Sequence, residues 1–544
     1  MRLLAAITLA VVACSGGTAE PGTSAPQTTE KSTTTTTASA TTSPLTGTGI
    51  SCWTAEGTGG RGDLAFFDAT YEMGLEDPLR GMHGHAAVWT DVDGDDIADL
   101  FVGTFADRED SVYRQRGASG PSPDRLLNGG ASFSLVESFA ETRSRSSGGV
   151  SADLDSDGDL DLVVIRNIED TALGQTPTQV YENVDDELRP IADAGFPEQL
   201  GGRGVAVLDY DRDGLFDLII TEDRWAGGSS VLMHNDGGLS FSDATTRSGL
   251  PDDVHGLGVA VADFDHDGRH DIFVSGSNRL FYSDGEDGFN EQDSSVFDWE
   301  EFGPEDDVAG AAVADVNRDG WLDLAVGQHY NSTVEFGEMV SVRLYLNDGG
   351  TFTDVTERAG LTPLPTQAPH VELADFDNDG WPDLMTSAAA GDGPAIFMHQ
   401  GLVDGVPRFG VPEGLGDAQY WVGAPTIDYD HDGRLDVFLL EWEPALPSRL
   451  LRNITDSGNW LELSVDPVMG HGLGWRVEIL DGDDLIGARD ITVTQGYSSG
   501  VLPIAHFGLG DLAVVDVRLR PPGGDSILIE SVPSNQHIRW PDGC

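Results

Sequence analysis

The stretch Asp209-Tyr-Asp211-Arg-Asp213-Gly214-Leu-Phe-Asp217 decides the fold of this chain. Aspartate occupies its first, third, fifth and ninth positions, and the apolar run Leu-Ile-Ile follows directly. A loop that wraps a hard cation turns alternate side chains inward, so these carboxylates converge on one point while the seventh residue offers its carbonyl. Oxygen ligands in a flexible loop favour Ca²⁺ over Zn²⁺ or Cu²⁺, and over the stricter octahedron of Mg²⁺. The glycine supplies a corner with positive φ, so the stretch predicts a calcium loop that leads into a strand.

The same pattern occurs seven times, and its first aspartates lie 52 to 62 residues apart. We number the loops 1 to 7 in chain order and expect about seven Ca²⁺ ions. Loop 1 has Asp96 at the sixth position, where aspartate tolerates the left-handed conformation, so we expect this site to form but to be the least regular. The predicted metal ligands are Asp91, Asp93, Asp95 and Asp99; Asp153, Asp155, Asp157 and Asp161; Asp209, Asp211, Asp213 and Asp217; Asp263, Asp265, Asp267 and Asp271; Asp315, Asn317, Asp319 and Asp323; Asp375, Asp377, Asp379 and Asp383; and Asp428, Asp430, Asp432 and Asp436.

The loops are not EF-hands, because an EF-hand needs a bidentate glutamate at its twelfth position on an exiting helix. None of the seven loops has a carboxylate at that position. The twelfth residues are Val102, Val164, Ile220, Val274, Val326, Thr386 and Leu439. Short apolar runs enter and leave each loop, as in buried strands. Each unit is therefore predicted to be strand, cation loop, strand.

Units of about 55 residues with four strand signals each are typical of propeller blades, and seven such units close a ring. We therefore predict an all-β fold: a seven-bladed β-propeller with calcium-binding loops, followed by a small C-terminal β domain. The segment from Phe67 to Leu75 repeats a short sequence motif that ends two later units, at Phe241 to Leu250 and Phe352 to Leu361. We expect residues near 64 to 71 to form the outer strand of blade seven and to cover its exposed edge.

The loops resemble the FG-GAP/VCBS repeats of integrin α-subunit propellers, and the segment Val422-Gly-Ala-Pro425 is close to the tag that names the repeat. The tail, with Gln495-Gly-Tyr-Ser-Ser499 and His506-Phe-Gly-Leu-Gly510, resembles the ASPIC/UnbV domain. This pairing is typical of the cartilage acidic protein family, which includes many bacterial members. The resemblance implies a calcium-stabilised extracellular binding module and names no ligand. We assign residues 51–453 to the propeller and residues 454–544 to the ASPIC/UnbV-like domain.

Residues 1–14 are interpreted as a lipoprotein signal peptide, since an apolar run ends in Val11-Val-Ala-Cys14-Ser like a bacterial lipobox. Acylation of Cys14 would anchor the protein to the bacterial envelope or cell surface through lipid only. The alternative is an ordinary secretory signal with an incidental cysteine. Residues 15–50 are rich in Ser, Thr and Pro and are predicted to be a flexible linker.

Export would place the two remaining cysteines, Cys52 and Cys544, in a compartment where disulfides persist. A disulfide between them would join the two ends of the folded body. Free thiols or an intermolecular link are the alternatives.

The charge balance argues against a nucleic-acid partner, because 30 Lys and Arg stand against 93 Asp and Glu, a net charge of −63. We expect an exported calcium-binding lipoprotein whose propeller binds an unknown protein or polysaccharide. The alternative is a calcium-dependent polysaccharide lyase or hydrolase that uses a central cluster, with Trp421 or Tyr420 stacked on a sugar. That cluster would contain His83, His85, Arg203, His255 and His370. No nucleophile elbow, zinc motif or phosphate loop is present, so no catalytic residue and no cofactor site besides calcium is assigned.

Overall fold

The computed structural model describes residues 45–46, 51–55, 57, 62–139, 142–168, 176–222, 228–298, 306–330, 342–362, 370–387, 395–414 and 421–541. The described residues all belong to one compact unit, Pro44–Cys544. The predicted signal peptide, Cys14 and most of the predicted linker lie outside the described residues. No helix within the described ranges has the length and hydropathy needed to cross a bilayer.

Seven antiparallel units follow one another along the described chain, and we number them sheets 1 to 7. Units 2 to 6 are four-stranded sheets, whereas two tail strands join the four strands of unit 1, and unit 7 includes a strand from the N-terminal side of unit 1. Loop 1 joins the first two strands of sheet 1, and the other loops follow in the same way. Sheet 1 contains Gly84–Thr90, Asp99–Thr104, Arg125–Asn128 and Ser134–Leu135; sheet 2 contains Ser146–Ala152, Asp161–Arg166, Gln179–Asn183 and Leu188–Pro190; sheet 3 contains Gly202–Leu208, Asp217–Glu222, Val231–Asn235 and Phe241–Asp243; sheet 4 contains Gly256–Ala262, Asp271–Gly276, Arg279–Ser283 and Phe289–Glu291.

Sheets 5 to 7 have the same arrangement, although sheet 7 takes its outer strand from the N-terminal side of sheet 1. Sheet 5 contains Asp306–Ala314, Asp323–Tyr330, Val342–Asn347 and Phe352–Asp354; sheet 6 contains Val371–Ala374, Asp383–Thr386, Ala395–Phe397 and Glu413–Gly414; sheet 7 contains Trp421–Gly423 with Thr426–Ile427, then Asp436–Glu441, Arg449–Asn453 and Phe66–Asp68. A hairpin of His399–Val403 and Val406–Phe409 forms a separate two-stranded sheet between the third and fourth strands of sheet 6 along the chain. The helical turns are Asp110–Gln115, Thr356–Ala359, Ser295–Phe297 and Pro467–Gly472. The all-β prediction is confirmed.

Buried apolar clusters join each sheet to its neighbour. Leu208 of sheet 3 and Ile272 of sheet 4 belong to one cluster. The cluster between the last and the first sheet contains Phe438 and Trp89, whose ring centroids lie 6.1 Å apart. The sheets therefore pack in chain order, and the seventh packs back on the first.

The outer strand of sheet 7 is Phe66–Asp68, which pairs antiparallel with Arg449–Asn453. Beyond this strand, the Ala69 amide donates to the Leu450 carbonyl at 2.9 Å. The expectation that residues near 64 to 71 cover the edge of the seventh unit is confirmed. The seventh unit lacks its own fourth strand because its chain continues instead into the tail.

The tail forms two further sheets that share a core with sheets 2 and 3. The first sheet contains Leu45–Thr46, Ile527–Pro533, Val514–Arg520, Arg476–Asp481 and Asp484–Asp490. The second contains Ser51–Thr54, Gln536–Trp540, Asn459–Val465 and Ala505–Gly510.

The predicted propeller boundary at residue 51 needs correction. Ser51–Thr54 pairs antiparallel with Gln536–Trp540, so this segment belongs to the tail. Within it, Cys52 is disulfide-bonded. Its predicted partner Cys544 lies outside the described residues, and that pairing stays a prediction.

A tail segment of residues 494–500, which we call the central hairpin, lies among the innermost strands of the sheets. Ser499 pairs with Ala87 of sheet 1, and Gly496 forms a bridge with Ala311 of sheet 5. The ring of Tyr497 is buried in a cluster that brings together sheets 4, 5 and 7. The tail thus fills the space between the inner strands.

Candidate metal centres

The ninth aspartate of each loop anchors that loop to its sheet. It is the first residue of the second strand, and in all seven loops it is at most 2% exposed. In loop 5, Asp323 Oδ2 accepts from the Val316 amide at 2.9 Å, and Oδ1 accepts from the Asn347 amide at 2.8 Å. The same two bonds recur in the other six loops. Each ninth carboxylate therefore ties its loop to the end of the third strand or, in loops 1 and 6, to a residue just beyond it.

The first and fifth aspartates are held inward by amides of their own loop. Asp375 accepts from the Asp379 amide at 3.1 Å and from the Gly380 amide at 2.7 Å. Asp379 in turn accepts from the Trp381 amide at 2.9 Å. These bonds fix the carboxylates around one centre before any ion binds.

The backbone turns through the left-handed region at two positions of every loop. The sixth position has the predicted positive φ, including Asp96 at +66°. Sequence reasoning missed the fourth position, where φ lies between +54° and +65°. Its only sequence signal is weak, since glycine or asparagine stands there in two loops. The fourth residues are Gly94, Ser156, Arg212, His266, Arg318, Asn378 and His431.

The donor atoms present fit a divalent cation with oxygen ligands. In loops 1 to 4, carboxylate oxygens from three of the predicted ligands lie within 4.8 Å of one another. Within the seven loops as the structure describes them, three buried carboxylate oxygens have no hydrogen-bond partner, namely Oδ1 of Asp155, Asp209 and Asp263. A buried charged oxygen without a partner is costly, and a cation at the centre of the loop would provide one.

Burial and mutual repulsion raise the pKa of the loop carboxyls. Burial, with a smaller contribution from neighbouring carboxylates, raises the pKa of Asp91 and Asp217 to about 7 and that of Asp271 to about 8. In Asp323, burial raises the pKa well above its usual value, although the two backbone amides oppose the shift. A bound cation would replace these protons, because metal ligands must be deprotonated.

The tail domain covers several of the loops, which the sequence did not predict. The Gly510 amide donates to the Asn378 carbonyl of loop 6 at 2.8 Å, and His506 Nε2 lies 3.2 Å from the Gly433 carbonyl of loop 7. Arg476 pairs with Asp490 at 2.8 Å and donates to the Asp263 carbonyl of loop 4 at 3.1 Å. The loop geometry and the position of the tail are therefore linked.

The proposed central His/Arg cluster is only partly assembled. His83 and His85 lie against the ring of Phe105, and Arg203 approaches the same ring at 5.8 Å. Burial, followed by the charge of Arg116, lowers the pKa of His83 to about 3. His370 instead lies against the central hairpin, where its Nδ1 accepts from the Tyr497 amide at 3.3 Å.

The expectation that Trp421 stacks on a sugar is wrong. Its side chain is only 1% exposed, because it packs in the core between sheets 6 and 7. Tyr420 lies outside the described residues.

Comparison with known protein families identifies both parts of the chain. The FG-GAP-like repeat family matches residues 153–220 and 333–386. The ASPIC and UnbV family matches residues 469–543. The first match includes loops 2, 3 and 6, and the second covers most of the tail.

Among curated proteins, cartilage acidic protein 1 of Mus musculus is 28% identical over 64% of this chain and 56% of its own length. The Homo sapiens protein is 26% identical over 61% of this chain and 52% of its own. The chain thus spans about half the length of these relatives. Integrin alpha-7 of Homo sapiens is 35% identical over 23% of this chain and 11% of its own.

Among solved structures, an Agrocybe aegerita lectin that recognises non-reducing terminal N-acetylglucosamine aligns with a TM-score of 0.38 and 17% identity. The alignment covers 61% of this chain and 80% of the lectin, and a likeness this low bears on neither fold nor function here. The family matches and the curated relatives carry the assignment. The chain carries FG-GAP-like repeats followed by an ASPIC and UnbV domain, and it is homologous to cartilage acidic protein 1 and to integrin alpha chains.

Proposed function

We propose that this chain is an exported adhesion-type β-propeller that binds about seven Ca²⁺ ions and presents a rigid surface to a protein or polysaccharide partner. In this proposal the seven sheets are the blades of a closed ring. The packing of sheet 7 on sheet 1 and the borrowed outer strand Phe66–Asp68 support closure. The homology to integrin alpha chains and cartilage acidic protein 1 supports an extracellular binding role.

The observation that carries the proposal is the sevenfold repetition of one acidic loop sequence, whose carboxylate oxygens converge in loops 1 to 4. Every loop presents four predicted oxygen ligands, and loops 2 to 4 each contain a buried carboxylate oxygen without a partner. An ion that binds only the native state stabilises it by about 2.7 kcal/mol per site at a hundredfold excess over its Kd. Seven such sites would make the stability of the body depend on calcium.

Calcium would also support the position of the tail. Loops 4, 6 and 7 contact the tail through their backbone carbonyls, so the shape of a loop decides where those acceptors point. We expect the metal-loaded loops to hold the tail and its central hairpin in place. The partner then meets a preorganised surface, which lowers the entropic cost of binding.

Anchoring completes the proposal. The lipobox-like sequence that ends at Cys14 supports lipidation, and residues 15–50 would hold the folded body away from the envelope. The protein would then act at the cell surface, held there by its lipid.

Two linked assays test the proposal. Thermal unfolding in calcium and in EDTA measures metal dependence, and glycan and secreted-protein arrays probed under the same two conditions measure binding. We expect a much lower melting temperature in EDTA and a partner that is retained only with calcium. An identical melting temperature in both buffers would contradict the metal assignment. Turnover of a polysaccharide on the array would favour the enzyme instead.

A further inference from the structure

Loop 3 contains a second set of metal-ligating atoms beside its calcium cage. We propose that Asp211, Asp213 and His234 bind a first-row transition metal ion such as Zn²⁺, next to the Ca²⁺ of the same loop. The inference rests on the proposed function because Asp211 and Asp213 are also predicted calcium ligands. It adds an ion of different chemistry, held in part by a nitrogen donor that the seven-loop pattern does not contain.

The backbone register of sheet 3 places the imidazole at the loop. His234 precedes Asn235, whose amide donates to Asp217 Oδ1 at 2.8 Å. Its Nε2 lies 3.1 Å from Asp211 Oδ2 and 3.7 Å from Asp213 Oδ2. The three donor atoms all lie within 4.8 Å of one another. One ion can therefore reach all three.

The second ring nitrogen is held as in metal-binding histidines. His234 Nδ1 lies 2.9 Å from Asp236 Oδ1, and this oxygen also accepts from Ser242 Oγ at 3.1 Å. Metal-ligating histidines almost always donate their other N–H to a carboxylate or carbonyl, which fixes the ring and its tautomer. With the proton on Nδ1, the lone pair of Nε2 faces two carboxylate oxygens. A cation between these three electron-rich atoms would relieve their repulsion.

Two donor sets overlap at Asp211, and they share Asp213 as well because it is a predicted calcium ligand. Asp209, Asp211 and Asp217 form an all-oxygen set, whereas Asp211, Asp213 and His234 add an imidazole nitrogen. Calcium takes oxygen ligands, while imidazole suits Zn²⁺ and its neighbours in the first transition row. The two sets therefore select different ions, and Asp211 would bridge them.

Loop 3 alone has an imidazole at this position in the described sheets. In each of the other six sheets, the amide of one residue donates to the ninth aspartate of the loop. The residue directly before it in the chain corresponds to His234. Those residues are Asn128, Glu182, Tyr282, Leu346, Met398 and Arg452. The His234 and Asp211 side chains are 15% and 17% exposed, so a hydrated ion can enter and keep water ligands.

A proton is the competing occupant of Nε2, since an imidazolium would sit between the same carboxylates at similar distances. Cobalt distinguishes the two, because Co²⁺ bound to nitrogen and oxygen donors absorbs visible light. The full chain, made without a histidine tag, is stripped with EDTA, returned to calcium and titrated with Co²⁺. We expect one tight equivalent of Co²⁺ with visible absorption while the calcium content stays constant.

Three variants sharpen the result. His234→Gln should lose the tightly bound Co²⁺ ion, because the nitrogen ligand is gone. Asp236→Asn should weaken Co²⁺ binding by about 10- to 100-fold, because the imidazole is still present but its orientation is no longer fixed by a carboxylate. Glu182→Gln, a change at the corresponding position of sheet 2, should bind Co²⁺ like the unchanged protein. Equal Co²⁺ binding by His234→Gln and the unchanged chain would overturn the proposal, as would release of one Ca²⁺ for each Co²⁺ bound.

Calcium is counted on the same samples by elemental analysis. A protein that retains calcium but binds no Co²⁺ contradicts this inference and leaves the proposed function intact. A protein that retains no calcium contradicts the proposed function itself.

Discussion

Replacing Asp323 with alanine tests whether the ninth aspartate holds its loop on the sheet even without metal. Its carboxylate is fully buried and accepts from the amides of Val316 and Asn347 at 2.9 and 2.8 Å. The Asn347 side chain continues the connection, since its Nδ2 donates to the Phe264 carbonyl of loop 4 at 2.8 Å. Loss of this carboxylate therefore affects the joint between two neighbouring sheets.

The expected cost follows from the two amides. Each buried N–H left without an acceptor costs about 1–3 kcal/mol, so Asp323→Ala should cost about 2–6 kcal/mol. Asp323→Asn keeps one acceptor oxygen and presents N–H groups to the other amide. It should therefore lose only about half of the stability that Asp323→Ala loses. In a cooperative body of this size, about 1 kcal/mol corresponds to about 1 °C in Tm.

Thermal unfolding in calcium and in EDTA measures the effect, and Asn317→Ala in the same loop is the matched control. Asn317 is a predicted ligand, but its side-chain bonds go only to the exposed Asp319. We expect Asn317→Ala to lower Tm in calcium and to leave it unchanged in EDTA. Asp323→Ala should lower Tm by about 2–6 °C in both buffers.

The reasoning would be refuted if Asp323→Ala melted at the unchanged temperature in EDTA. It would also fail if Asp323→Asn restored full stability, because an amide cannot accept from both backbone donors. Either result would mean that the ninth aspartate acts only as a metal ligand.

Three further predictions concern pH, the tail and the anchor. Because the pKa values of Asp217 and Asp271 are raised to about 7 and 8, the metal-free fold binds protons more tightly than the unfolded chain. In EDTA, Tm should therefore fall as pH rises from about 4 to 8, whereas in calcium Tm should stay nearly level. A Tm that does not change with pH in EDTA would argue against buried carboxyls. Arg476→Gln removes the charged partner of the buried Asp490 and should lower the free energy of unfolding by about 3–5 kcal/mol. The tail should then be cleaved faster by a protease, and an unchanged cleavage rate would contradict the role of Arg476 in docking the tail on the loops. Cys14→Ala should move the protein from the membrane to the soluble fraction, and continued membrane association would exclude lipidation as the anchor.

The cation loops were predictable because their chemistry is local. Alternate carboxylates within nine residues can be recognised in sequence, and the structure holds each set together with bonds inside the same loop. The outer strand Phe66–Asp68 was predictable for a different reason, since the sequence motif that it belongs to recurs at the end of two other units.

The contacts between the tail and the loops were not predictable, because they join residues far apart in the chain. Nothing in the sequence near Arg476 shows that it donates to the carbonyl of Asp263. Backbone pairing of Ser51–Thr54 with the tail depends on the same docking, so the domain boundary was misplaced. Trp421 was expected to face a ligand, but the packing of sheets 6 and 7 encloses it.

The left-handed fourth position of each loop has a local cause but little sequence signature. Arg212, Arg318 and His431 have positive φ there although long side chains rarely do. Backbone amides that donate to the first and ninth aspartates fix the turn on either side, and the fourth residue has to follow. In loops 3, 5 and 6 its side chain donates to the carbonyl of the sixth residue of the next loop, and arginine and asparagine both make this bond.

Counting the calcium ions bound to the folded chain tests the account most directly. Native mass spectrometry of protein exchanged into calcium and then freed of excess metal gives that number without reference to any partner. The account predicts about seven ions per chain, removed by EDTA with loss of thermal stability. A folded chain that carries no calcium under these conditions would contradict it.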